Sequence, residues 1–350
     1  MLGFEKTYTT PFEEDIPILI DDYFNKVSKY KRFRRFLGRY IYARFALKSS
    51  QKLEKIPCNC YKILWIQWVN PNLGDSLTDL SGRILLNDKK IDLLTRENAA
   101  IIYQDDEIFN KVYIDPKDCA DNGYDLVIID SYRQRSLKVF KKYFSNTPHV
   151  SLYGFYSVYD FHQLYFSFFR VNQFLTKPFC QKYIRGIANP LLSISGTDKL
   201  VVENYNISAN TIAIAIGGVE RDRTYNFWKD VIELLLSHKV TDNIVLLGLK
   251  DAVRFDNIDN TINMIGKCTF NQSAQIVKKS RLLICADGGL LHAANAVKTP
   301  VVCLFYGLNP NVRLIKGNKS IALYNSQSIN DILPKDILKS VSLLQVKISS

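Results

Sequence analysis

The chain has 350 residues, 47% hydrophobic, 23% charged and 12% aromatic, too long for one comfortable core and too apolar for disorder, so two globular domains are expected. Seven cysteines with no CxxC pair exclude a disulfide framework and a zinc site, and read as reduced thiols. The net charge of +12 is local, because 26–48 holds nine Lys or Arg and no acid, leaving +3 for everything else.

The first residues lack the basic-then-apolar order of a signal peptide, and no apolar run reaches membrane-spanning length, so a cytoplasmic protein is expected. The basic segment has a helical period, with Phe33, Phe36, Leu37, Tyr40, Ile41 and Phe45 on one predicted stripe. Such a helix suits an anionic membrane surface, and equally suits packing on the domain with solvated arginines. No stacking platform or groove-reading motif accompanies the charge, which argues against nucleic acid.

After Pro57 the pattern alternates short apolar runs with helical segments. "YKILWIQWV" (61–69), "KIDLLT", "KVYID", "YDLVIID" and "HVSLYGF" read as strands of one parallel sheet. A second series begins after "ANPLLSISGTDK" with "TIAIAIGG", "NIVLLG", "TINMIG", "RLLICA" and "PVVCLFYG" as strands, and predicted helices near 225–237, 271–280 and 289–297. The expected division is a basic helical extension over 1–56, an α/β domain over 57–190, a second over 191–330 and a closing helix over 331–350. Open parallel sheets bind ligands at the carboxyl ends of their strands.

Three such ends carry chemistry. In "ICADGGLLHAA" (284–294), Asp287 follows a predicted strand and Gly288 and Gly289 open a helix, leaving backbone N–H groups and a helix dipole for a diphosphate, with Leu290 and His292 in the first turns. The plainer alternative makes Asp287 a helix cap and His292 a core residue. In "NPNLGDSLTDL" (70–80), Gly74 turns the chain and Asp75 stands as a proton acceptor for a hydroxyl, or as an N-cap. In "IAIAIGGVERDRTYNFW" (212–228), Gly217 and Gly218 lead to Arg221 and Arg223, cations suited to an anion. The cluster "QDDE" (104–107) reads as solvated, and the aromatic run over 154–169 as core rather than a groove.

Together these stretches resemble glycosyltransferase family 9, the heptosyltransferases of the lipopolysaccharide inner core, from about 61 to 313. Gly74-Asp75 matches the family's Gly-Asp turn with its general base. "GGVERDRTYNFW" matches loosely a Gly-rich turn followed by Lys, with Arg221 or Arg223 in the Lys place. "ADGGLLHAANAVKTPVVCLFYGLNP" (286–310) matches the turn holding the donor diphosphate, Gly288 replacing the usual Thr, with Gly307 and Pro310 also in corresponding places.

The resemblance implies a GT-B fold, two Rossmann-like domains facing across a cleft. It further implies an inverting, metal-independent transfer from a nucleotide sugar, ADP-heptose, to an anionic glycolipid such as Kdo-lipid A or core oligosaccharide at the inner face of the cytoplasmic membrane. No cofactor is expected beyond that co-substrate. By the same analogy Gly266, Lys267 and Cys268 line the nucleoside pocket. Rival functions are a same-fold nucleotide-sugar epimerase and a non-catalytic membrane-associated saccharide-binding protein.

Overall fold

A computed structural model describes residues 28–69, 72–155, 162–205, 207–217, 223–249, 258–315 and 318–349. The chain divides into two compact units, 1–191 and 192–350. Each is an α/β sandwich around its own parallel sheet, Rossmann-like in its architecture.

The first unit holds β1 (Lys62–Gln67), β2 (Lys90–Thr95), β3 (Phe109–Tyr113), β4 (Leu126–Ile129) and β5 (His149–Ser151) in the order β3-β2-β1-β4-β5. All pairs are parallel. The central β1 is apolar on both faces, with Ile63, Leu64, Trp65 and Ile66 fully buried, as a strand covered on both sides must be. The helices used below are α1 (Lys29–Ala46), α2 (Leu73–Leu80), α3 (Gln134–Tyr143) and α4 (Gln163–Phe174). Helix α4 is buried along most of its length, so the described part of the aromatic run is core.

Only part of the predicted stripe of α1 packs on the unit. Phe36, Ala43 and Ala46 are buried, whereas Phe33, Tyr40, Ile41 and Phe45 are exposed, Phe45 by 76%. Alanines let the helix lie close against the cluster built on Leu137 and Phe140 of α3, and Phe33, Tyr40, Ile41 and Phe45 are left outside. Residues 1–27 of the basic extension lie outside the described residues.

The second unit holds β6 (Ile212–Ala215), β7 (Ile244–Leu247), β8 (Thr261–Asn263), β9 (Leu282–Ala286), β10 (Val301–Tyr306) and β11 (Ser320–Asn325), ordered β11-β10-β9-β6-β7-β8 and parallel throughout. Its helices include α5 (Trp228–Ser237), α6 (Phe270–Lys279), α7 (Gly289–Val297) and α8 (Pro334–Ser349). Helix α6 starts with a capping box between Thr269 and Gln272. Helix α8 inserts Ile337, Val341 and Leu344 into the core beside α5. Strand β11 has no counterpart in the sequence reading; it is an edge strand, half-exposed along its length, and lacks a continuous apolar run.

Candidate functional site

In the second unit the parallel strands bring several turns to one sheet edge. Gly217 follows β6, Gly248 follows β7, Gly266 follows β8, Asp287 follows β9 and Gly307 follows β10. The Asp287 amide donates to the Leu304 carbonyl of β10 at 3.0 Å, which fixes the start of the turn. Gly288 is the N-cap of α7 and makes no side-chain cap, so Asp287 is not the helix cap. The first amides of α7, from Gly289 and Leu290, open at this edge. Leu290 is half-buried and His292 is buried at 5% exposure one turn further on.

The Asp287 carboxylate is buried between two guanidinium groups. Arg223 Nη1 lies 3.4 Å from Oδ2 and Arg313 Nε lies 4.0 Å from Oδ1. Two cations against one carboxylate leave a net positive corner beside the helix N-terminus, suited to an anion. Arg313 escapes the sequence reading because it stands three residues beyond the recognisable "FYGLNP" turn, where its register cannot be read without the 3-10 turn over Pro310–Val312. Gly218 and Arg221 lie outside the described residues. Gly266 has φ +67°, a left-handed turn that hands the chain to an exposed Lys267, whose Nζ bonds the Asn263 carbonyl at 2.7 Å. Burial raises the Cys268 thiol above its usual range.

In the first unit Asp75 sits at the third position of α2, following β1. The N-cap is Asn72, whose amide approaches Asp75 Oδ2 at 3.5 Å, so Asp75 is not the cap and stands half-buried. The loop that delivers it is held from below by Asp130 at the end of β4. The Asp130 carboxylate, buried, accepts from the amides of Trp68 at 2.8 Å and Val69 at 2.9 Å. Burial raises Asp130, against these hydrogen bonds. One turn after Asp75, Asp79 is fully buried and accepts from Gln67 at 2.9 Å, Gln163 at 2.6 Å and the Tyr153 hydroxyl. Neither Asp79 nor Asp130 is singled out by sequence, since nothing in "SLTDL" or "VIID" marks a carboxylate as buried.

In the cluster over 104–107, Gln104, Asp105 and Glu107 are exposed as expected, and only Asp106 departs from the solvated reading. Asp106 is buried and meets Arg83, itself 1% exposed, through Nε at 3.1 Å and Nη2 at 2.5 Å. Breaking a pair of this kind costs about 3–5 kcal/mol, which makes it structural. Among the described residues no group of three or more His, Cys, Asp or Glu side chains is arranged to hold a metal. Among them, too, no helix is long and apolar enough to cross a membrane.

Residues 199–331 match the family described as glycosyltransferase family 9 (heptosyltransferase). No curated protein matches the chain. Among solved structures, a glycosyltransferase family 9 protein from Veillonella parvula is 13% identical with TM-score 0.67, over 84% of this chain and 100% of that one. The ADP-heptose lipopolysaccharide heptosyltransferase II of E. coli is 17% identical with TM-score 0.66, over 83% and 100%. E. coli heptosyltransferase WaaC, solved with ADP, is 12% identical with TM-score 0.59, over 81% and 99%. The matched residues contain Arg223, Asp287, His292 and Arg313 but not Asp75. Residues 199–331 are thus similar to glycosyltransferase family 9, and the chain shares its fold with these solved structures.

Proposed function

We propose that the protein transfers a sugar, heptose from ADP-heptose, with inversion and without a metal, onto a lipopolysaccharide inner-core or other lipid-linked saccharide. The observation that carries this reading is the buried Asp287 between Arg223 and Arg313 at the mouth of α7. Asp75 takes the proton of an acceptor hydroxyl, whose oxygen bonds the anomeric carbon on the face opposite the diphosphate. The anomeric C–O bond breaks and its electron pair leaves on the nucleoside diphosphate. The amides of Gly289 and Leu290 and the Arg223 guanidinium, with Arg221, stabilise that charge. Asp287 accepts hydrogen bonds from donor-sugar hydroxyls, and Gly266, Lys267 and Cys268 line the nucleoside pocket.

The test is release of ADP from ADP-heptose with Kdo-lipid A as acceptor, in excess EDTA. Wild type turns over, and Asp75→Asn loses roughly a hundredfold or more in kcat while still binding ADP. Donor consumption without acceptor favours the epimerase, and an undiminished Asp75→Asn removes the base.

An anionic acceptor at the inner face of the cytoplasmic membrane also gives α1 a task. Lys31, Arg34, Arg35, Arg44 and Lys48 are exposed beside the exposed Tyr30, Ile41 and Phe45. Each cation near an anionic surface contributes on the order of 1 kcal/mol. Sedimentation with phosphatidylglycerol vesicles is expected to fall at least about tenfold in Arg34→Glu with Arg44→Glu. Equal binding to phosphatidylcholine vesicles overturns this assignment.

A further inference from the structure

Asp79 has no task in the reaction as written, yet it lies one helical turn below Asp75 in the sequence "GDSLTD". Its carboxylate gathers three elements: Gln67 at the end of β1, Tyr153 beyond β5 and Gln163 in the first turn of α4. Gln163 Nε2 also reaches the Asp75 carbonyl at 3.3 Å. A fourth tie runs from the Ser167 hydroxyl to the Asp79 carbonyl at 2.5 Å. The side-chain donors named here are neutral. A fully buried carboxylate is a costly way to join strand ends that an uncharged amide could join, so a purely structural role leaves its charge unexplained.

We propose that Asp79 is a positioning residue for Asp75: its ionised carboxylate fixes Gln163 against the Asp75 backbone and sets a second negative charge beneath the base, so that transfer is faster with Asp79 ionised than protonated. This rests on the reading of Asp75 as general base. No proton passes to Asp79 in the step; the acceptor's proton goes to Asp75 and from there to solvent.

Burial, with the like charge of Asp75 acting in the same direction, raises Asp79 to about 6, against the bonds from Tyr153, Gln163 and Gln67. Its charge therefore changes within the pH range of an ordinary assay. Among the described residues the titratable groups that act on it or feel its charge include Asp75 on its own helix, Tyr153 from the segment after β5, and Tyr103, whose hydroxyl lies 3.1 Å from Ser76 Oγ.

The pH dependence of kcat, with ADP-heptose and Kdo-lipid A, is expected to show an acid limb near 6 in wild type. Asp79→Asn loses that limb, and its kcat drops roughly ten- to a hundredfold with ADP affinity kept. Gln163→Ala keeps the limb but lowers kcat. A carbon-13 titration of aspartate-labelled protein gives a readout that needs no turnover: Asp75→Asn shifts the Asp79 midpoint downward. An Asp79→Asn profile unchanged in shape, or an Asp79 midpoint unmoved by Asp75→Asn, overturns the proposal. Absence of turnover in wild type overturns the sugar-transfer reading instead, and the titration still decides the coupling.

Discussion

The two units bury carboxylates in opposite ways. In the first, Asp79 and Asp130 are held by amides, a phenol and backbone N–H groups; in the second, Asp287 is held between Arg223 and Arg313. Neutral donors offset desolvation of the charged form only through hydrogen bonds, and burial raises both carboxyls against them. Guanidinium groups instead keep their charge at every accessible pH and present it to any anion that arrives. The first arrangement suits a carboxyl that changes its charge and the second suits an anion, and the proposed sugar transfer draws on both.

Removing the cations gives the largest expected effect. Arg223→Ala combined with Arg313→Ala deletes two charge-assisted contacts, each worth about 1.5–3 kcal/mol. ADP affinity measured by calorimetry should fall at least about a hundredfold. Asp79→Asn should leave it within about twofold. If Asp79→Asn weakens ADP as much as the arginine pair, the contrast between the units has no functional meaning.

The next effect sharpens what neutral surroundings do. His149 on β5 is buried against Phe140, with ring centroids 4.9 Å apart, and neither ring nitrogen has a hydrogen-bond partner among the described residues. Desolvation, helped by Lys52, lowers it from 6.5 to about 4, whereas Asp79 rises from 3.8 to about 6. Between about pH 4 and 6 the unfolded chain therefore binds the extra proton at His149, and the folded chain binds it at Asp79. The His149 contribution grows as pH rises through this window and the Asp79 contribution shrinks, so the two slopes oppose each other. Urea unfolding should show stability rising more steeply with pH in Asp79→Asn than in wild type. In His149→Phe it should fall relative to wild type. Each difference should be about 2 kcal/mol across the window. Parallel slopes in all three proteins would mean that these groups titrate normally.

The strands were legible because a parallel sheet covered on both faces demands unbroken apolar runs, and β1, β4, β9 and β10 have them. Strand β11, half-exposed at an edge, has no such demand and left no signal. Helix α1 was legible as a helix but not in its packing: the sequence left open whether its aromatic stripe packs or faces outward, and close packing on α3 selects Ala43 and Ala46 while Phe33, Ile41 and Phe45 stay exposed. At the candidate site the turns were visible through Gly74, Asp75, Asp287 and Gly288. The partners that give them electrostatic character were not. Arg313 and Arg83 meet Asp287 and Asp106 only through the fold, and Asp79 differs from a solvated aspartate only in what covers it.

The smallest effect concerns the glycines of the second unit, which look alike in sequence and differ in backbone. Gly288 is fully extended at φ 178°, a conformation open to any residue, and a Cβ there would meet the Ala286 carbonyl at an ordinary 3.8 Å. Gly307, beyond β10, has φ +65°, where a side chain is strained although space is open. Gly307→Ala should therefore cost about 1 kcal/mol in thermal or urea unfolding. Gly288→Thr, which restores the residue usual at this turn, should leave stability within about 0.5 kcal/mol. If its hydroxyl reaches the diphosphate, ADP affinity rises by a few-fold, about the worth of one added hydrogen bond. A loss of ADP affinity in Gly288→Thr would mean instead that the diphosphate occupies the space beside that Cα, so that glycine is required by the ligand rather than by the chain.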